Sequence, residues 1–263
     1  MALGKDLVER IERDVAGVYL NGVQGLSMLE FGDQIIKYTQ QSGKLYWQGR
    51  GFAHTSVDIN AQRGSIPKDL SVFADFEAWH NTFDVVYNAG TTEHVEPYDA
   101  QYTSFRIADH CTKPGGVMIH AVPCVERLDT LGIFREHCHY YYSHAFFDTL
   151  INKSGYQLID RGYTQQNLLY YAFRKTHNSV FMDNRDLFLA NIAVRHTSPK
   201  GALSLRIARL QDNNYLYQES AERLEAKRLK EQANQLAERN RKRVKNPQTT
   251  MIVENNRQRL KSN

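Results

Sequence analysis

Carboxylates and glycines fall at the ends of apolar runs in this chain, and in an open α/β sheet that is where ligands are held. The run "SMLEF" carries Glu30 and is followed by Gly32, Asp33 and Gln34. "HTSV" is followed by Asp58, Ile59 and Asn60, and "FDVVYNAG" ends in Asn88, Ala89 and Gly90, with Glu93 and His94 close behind. An acid closing the second run, Asp58, is placed to accept hydrogen bonds from a ribose diol. The first loop narrows the ligand further. A pyrophosphate needs close backbone approach and an open helix N-terminus, which a glycine-rich loop provides. Here a single glycine stands between Glu30 and Asp33, and Gln34 fills the position of a second. Carboxylates at such a loop repel phosphate and favour a nucleoside with a cationic group. S-adenosylmethionine, with its adenosine, sulfonium and ammonium, fits that description.

These residues need a scaffold, and the chain supplies one. Leu7, Ile11, Val15 and Leu20 recur at helical spacing over 5–20, which predicts an amphipathic N-terminal helix (1–22) ended by Gly22. From residue 23 apolar runs alternate with helical or loop stretches: "GLSMLEF", "HTSVDIN", "FDVVYNAG" and "GGVMIHAV" are strand candidates, and a helix is expected directly after "EFGDQ". Such alternation predicts a parallel sheet covered by helices. "AFFDTLINKS" predicts a helix with Ser143 as N-cap and Gly155 as its stop. "YQLIDRGY" and "NLLYYAFRK" are expected to pair antiparallel at the sheet edge. Residues 178–217 carry no decisive pattern, and 218–263 predict a basic helical tail whose last 18 residues are disordered.

The 263 residues are 41% apolar and 24% charged, with no apolar run near the roughly 20 residues of a membrane helix. Residues 219–263 hold 12 Lys+Arg against 6 Asp+Glu, leaving 21 against 23 elsewhere, so the body is near neutral and the tail basic. Cys111, Cys124 and Cys138 show no paired spacing and are expected as small apolar residues in a reducing compartment. With a charged opening segment, "MALGKDLVERIERD", the expected location is cytoplasmic.

Taken in order, "MLEFGDQ", "SVDIN", "FDVVYNAGTTEHV", "CTKPGGVMIHAVP" and "HYYYSHAFFDTLINKSGYQLI" resemble the successive motifs of class I S-adenosylmethionine-dependent methyltransferases, over about residues 23–175. The resemblance implies a Rossmann-like methyltransferase fold over 23–177, a mostly parallel sheet with an antiparallel edge strand and helices on both faces. It implies S-adenosylmethionine as cofactor. Glu30 and Gly32, with Asp33 and Gln34 beside them, would contact its methionine part, Asp58 and Ile59 its ribose, Asp69 and Leu70 its adenine, and Asn88, Ala89 and Gly90 its methionine and sulfonium. Two departures are visible: Gln34 replaces a glycine, and 26 residues separate Gly32 from Asp58 where dinucleotide binders use about 20.

Methyl transfer is an in-line displacement that depends mainly on alignment. A hydroxyl acceptor also needs a base, for which histidine has the right pKa. The candidates are His94 in "TTEHVEP" and His137 and His139 in "REHCHYYYS", with Glu93, Tyr140 and Tyr142 on the acceptor side. No metal is expected, since His137, Cys138 and His139 fall short of the three or four convergent ligands of a zinc site. Tyr171 and Lys175 have the Tyr-x-x-x-Lys spacing of short-chain dehydrogenases, but on a strand they stand roughly 13 Å apart, which excludes that pair. The expected activity is transfer to a small-molecule or glycan acceptor, at oxygen. Two alternatives stand beside it: a nucleic-acid methyltransferase using "RNRKRVK" of the tail, and a non-catalytic scaffold. The Ala/Leu seam of the tail makes homo-oligomerisation a further expectation.

Overall fold

In the computed structural model, residues 2–126, 138–197 and 203–207 are described. The main sheet contains β2 (Ser27–Phe31), β5 (Ala53–Val57), β6 (Phe83–Ala89), β7 (Thr112–Val122), β9 (Gln157–Tyr163) and β10 (Leu169–Arg174), in the order β5-β2-β6-β7-β10-β9. β2 pairs parallel with both β5 and β6, and β6 parallel with β7. β10 runs antiparallel to β7 and to β9. The expected antiparallel pair therefore closes the sheet edge, and the architecture is the Rossmann-like methyltransferase fold.

Each central strand is buried on both faces, which is why it is written as an apolar run. On one face α1 (Lys5–Val18) lays Leu7, Val8, Ile11 and Val15 against Met28, Val85, Val117 and Tyr170. On the other, α3 (Ala100–Cys111) and α4 (His144–Ser154) pack Phe105, Phe146 and Phe147 against Leu29, Phe31 and Phe173. α4 begins and ends where expected. Ser143 accepts the Phe146 N–H at 3.0 Å, and Gly155 closes the helix with φ 68°. The three cysteines are buried.

The helix expected directly after "EFGDQ" is displaced. Residues Ile35–Ile36 (β3) and Gln41–Ser42 (β4) form a small antiparallel pair, and β1 (Ala2–Leu3) adds to it in parallel with β3. Only then does α2 (Gly43–Gly49) start, capped by the Ser42 hydroxyl, which accepts from Leu45 N. This insertion accounts for the 26-residue distance from Gly32 to Asp58.

Within the segment without a decisive pattern, α5 (Arg185–Ala190) buries Phe188 and Leu189 in the same core as Phe105 and Phe146. β11 (Ala193–Thr197) lies between β12 (Leu203–Ile207) and β8 (Tyr140–Tyr141) in a second sheet. Tyr98 donates its hydroxyl to Leu189 O, tying that layer down. The expected basic tail lies outside the described residues, and with it the nucleic-acid patch and the assembly seam. No helix among the described residues is long and apolar enough to cross a membrane.

Candidate active site

A cavity of about 410 Å³ opens at the carboxyl ends of β2, β5 and β6, within the range of small-molecule sites. The chain turns to opposite sides of the sheet from β2 and β6, so the cavity sits at the topological switch point. From the first loop it is lined by Asp33 and Gln34, and from the segment after β5 by Asp58, Ile59, Asn60, Arg63, Asp69 and Leu70. From the turn after β6 come Gly90, Thr91, His94 and Glu96.

The first loop is built differently from its sequence reading. Glu30 is buried and does not face the cavity. Its Oε1 accepts the Gln34 N–H at 3.0 Å, and its Oε2 stands 3.2 Å from His54 Nε2. Burial pushes this carboxyl up, and His54 and Tyr87 pull it partly back. Tyr87 in turn accepts from Trp47 Nε1 at 3.0 Å. Gly43 opens α2 against the same carboxylate: a Cβ there would stand 2.7 Å from Glu30 Oε2. The helix start that receives a phosphate in a dinucleotide fold is thus already taken by a buried carboxyl group. What fills the position a pyrophosphate would need is one buried carboxyl group, not two carboxylates facing the ligand.

Gly32 has φ 92°, and a Cβ on it would collide with Thr91 Oγ1. The glycine is needed so that the β2 and β6 turns can touch. Thr91 completes that contact by donating to Phe31 O at 2.7 Å. Asp33 lines the cavity, but its charge is balanced by Arg63, whose Nε is 3.0 Å from Oδ2 and whose Nη2 donates to Asp33 O at 2.9 Å.

Asp58 closes β5 on the cavity wall, where Oδ1 accepts from Asn60 N at 3.0 Å. Ile59 is exposed beside it, and Asp69 and Leu70 line the same side, Asp69 accepting from Ser71 N. Of the three residues expected at the end of β6, only Gly90 lines the cavity. Ala89 is core. Asn88 organises the turn from inside, accepting from Thr91 N and Thr92 N and donating to Thr92 Oγ1 at 2.8 Å.

His94 is part-exposed on the cavity wall. His139 is outside the wall but reaches it through Glu96, with Nδ1 3.2 Å from Oε1. His137 lies outside the described residues. Tyr140 and Tyr142, expected as walls of the acceptor pocket, are core residues instead. Tyr140 packs on Tyr98, and Tyr142 donates to Gln101 Oε1 while standing 3.1 Å from Thr92 Oγ1. Glu93 is also withdrawn from the wall. Its carboxyl is fully buried with no hydrogen-bond partner, and burial pushes its pKa up to about 8.

Three features had no sequence signal of their own. Arg63 enters the site only because its loop returns to the first loop. His120 is sandwiched between Phe105 and Phe173, and burial lowers its pKa to about 3, so it is a neutral core residue. Gln34 Oε1 is buried with no partner, a condition that only packing reveals. The excluded Tyr171 and Lys175 pair is engaged elsewhere: Tyr171 bonds His144 and Asp148, and Lys175 bonds Asp109. Among the described residues no three His, Cys, Asp or Glu side chains are grouped to hold a metal ion.

No protein-family model matches the chain, and no curated protein matches it. Among solved structures, it is similar to 1,6-didemethyltoxoflavin-N1-methyltransferase of Burkholderia thailandensis, solved with S-adenosylhomocysteine. That likeness has 16% identity over 65% of this chain and 80% of that one, with a TM-score of 0.45. It is also similar to the N-methyltransferase NodS of Bradyrhizobium japonicum, at 14% identity over 65% of this chain and 88% of that one, with a TM-score of 0.46. A third is a methyltransferase in complex with the Haloferax volcanii activator Trm112, at 13% identity over 65% and 92%, with a TM-score of 0.46. At these values the functional reading rests on the chain's own site.

Proposed function

We propose that this chain is an S-adenosylmethionine-dependent methyltransferase that acts on a small-molecule or glycan acceptor, at oxygen. One observation carries the reading: the switch-point cavity is rich in carboxylates (Asp33, Asp58, Asp69, Glu96) against Arg63 and Lys68, while Glu30 occupies the nearby helix start. That wall suits a nucleoside with positive charge and no phosphate. Asp58 would accept from the ribose hydroxyls, Ile59 and Leu70 would flank the adenine with Asp69 at its edge, and Gly90 and Thr91 would border the methionine part.

When bound, the cofactor supplies an electrophilic methyl group. The chain's task is to hold the acceptor in line with it and to receive a proton. His94 is the proton acceptor in this reading because it is the histidine on the cavity wall. Glu96, paired with His139, forms the acceptor side of that wall. Calorimetric titration with S-adenosylhomocysteine tests the reading: micromolar binding, greatly weakened by Asp58→Ala, is expected. Absence of heat with both S-adenosylhomocysteine and S-adenosylmethionine would refute it.

A further inference from the structure

The turn after β6 contributes Gly90, Thr91, His94, Val95 and Glu96 to the cavity wall, so whatever fixes this turn fixes the wall. Asn88 holds its first half, with Oδ1 accepting from Thr91 N and Thr92 N. The second half is held from α3. Gln101 is fully buried, and its Nε2 donates to Thr92 O and to Val95 O, each at 2.8 Å. These carbonyls lie on either side of Glu93 and His94. Between them, Glu93 O accepts from His139 N at 3.1 Å, while the Glu93 carboxyl makes no hydrogen bond.

The sense of the Gln101 amide is forced. Carbonyl oxygens only accept, so both Nε2 hydrogens are committed to the turn and Oε1 points to Tyr142, whose hydroxyl donates to it. Tyr142 has one proton to give, so its 3.1 Å contact with Thr92 Oγ1 uses the threonine proton. Thr92 Oγ1 accepts from Asn88 Nδ2 at 2.8 Å, and the other Nδ2 hydrogen faces His120 Nδ1 at 3.2 Å. Burial keeps His120 neutral, with its pKa lowered to about 3, so that nitrogen is able to accept. Every polar hydrogen on the side chains of Asn88, Thr92, Tyr142 and Gln101 therefore has an acceptor. A buried polar network satisfied in this way rigidifies what it holds.

Burying an amide costs its desolvation, and an apolar side chain would fill the same space on α3 without that cost. What an apolar side chain lacks is two donors for one turn. We propose that Gln101 is a positioning residue for methyl transfer: from behind the cavity wall it fixes the turn that carries His94, so that the imidazole meets the acceptor hydroxyl in one place. This inference rests on the assignment of His94 as proton acceptor given above. Gln101 touches neither cofactor nor acceptor and acts through the backbone at Thr92 and Val95. Alignment of reacting groups is where such support tells, because a small misplacement from a distant substitution lowers the rate steeply.

The test uses NMR of the full chain with ring-labelled histidine, in which the His94 signal is identified by its absence from His94→Gln. In the wild type one His94 signal is expected, and saturation with S-adenosylhomocysteine should shift it, since ligand and imidazole share the cavity. In Gln101→Met the His94 signal should broaden or split and lose its ligand-induced shift. Calorimetric affinity of that variant for S-adenosylhomocysteine should stay at the wild-type value, because Asn88 still holds the Gly90 and Thr91 half of the turn. Gln101→Glu keeps the shape and an acceptor for Tyr142 but offers at most one hydrogen to the two carbonyls. It should lose part of the shift, which covers the case in which Gln101→Met fails to fold. A His94 signal and shift in the variants equal to those of the wild type would overturn the positioning role. So would a fall in ligand affinity that parallels the loss of the shift, which would make Gln101 a general support of the sheet end. A wild-type His94 signal that ignores bound S-adenosylhomocysteine would overturn the assignment of His94 instead, and that result is read from the wild type alone.

Discussion

Substitution Glu93→Gln gives a quantitative test of how the core behind the site is built. The Glu93 carboxyl is fully buried without a side-chain hydrogen bond, His94 Nε2 standing 4.0 Å from its Oε1, and its pKa stands at about 8 in the folded chain against 4.5 for the ordinary group. A folded-state pKa above the unfolded one means that the native chain holds a proton which the unfolded chain has released. Stability from this group is complete below pH 4.5 and declines as pH rises through 8, with a slope of about 1.4 kcal/mol per pH unit between them. Between pH 5 and pH 8 the wild type should lose about 3–4 kcal/mol relative to the glutamine variant, a large part of the 5–15 kcal/mol of an ordinary domain. Glutamine keeps the shape of the protonated acid and cannot ionise, so any constant packing cost shifts its curve without tilting it. Urea unfolding of both proteins at half-unit pH steps, with m-values compared, isolates the difference. Glu30, also raised, and His120, held down at about 3, contribute equally to both proteins and cancel. Parallel stability curves from pH 5 to pH 8 would refute the reasoning.

Other expectations follow from the same geometry. Gly32→Ala forces a positive φ on alanine and a clash with Thr91 Oγ1, so it should destabilise by about 1–3 kcal/mol in chemical denaturation. Tyr142→Phe strips a buried donor from Gln101 and Thr92; a loss of about 1–3 kcal/mol is expected, with S-adenosylhomocysteine affinity unchanged because the ring is core rather than pocket wall. His94→Ala should lower kcat for a hydroxyl acceptor by about 10²–10⁴-fold with cofactor affinity unaltered, and an unchanged kcat would remove it as the base.

The parts legible in the sequence were those that a local pattern encodes. β2, β6 and β7 announce themselves because burial on both faces makes each an apolar run, and their order fixes where ligand-facing loops must lie. Ser143 and Gly155 bracket α4 by capping chemistry that needs no tertiary context. Residues 35–42 were illegible because "IIKYTQQS" is too short to separate a hairpin from a first helical turn, and its pairing with Ala2–Leu3 is remote in sequence. The site divides the same way. Asp58 and Gly90 follow strands directly and do line the cavity. The roles of Glu30 and Asn88 depend on rotamers that point them into the fold, toward His54 and Thr92, which strand position alone does not set. The Asp33–Arg63 pair spans 30 residues of chain and forms only because Ile66 returns to β5. The tyrosine run misled because alternate tyrosines of "YYYS" are equally suited to a wall and to a core, and here Gln101 and Tyr98 draw them inward.

The central claim is that the switch-point cavity binds an adenosine carrying a positively charged methionine moiety. Isothermal titration of the full chain with S-adenosylmethionine and with S-adenosylhomocysteine, alongside Asp58→Ala, measures it directly. The account predicts one site of micromolar affinity, weakened at least about 10-fold by the loss of the ribose acceptor. A wild type that gives no binding heat, or an Asp58→Ala variant that binds as tightly as the wild type, would contradict it.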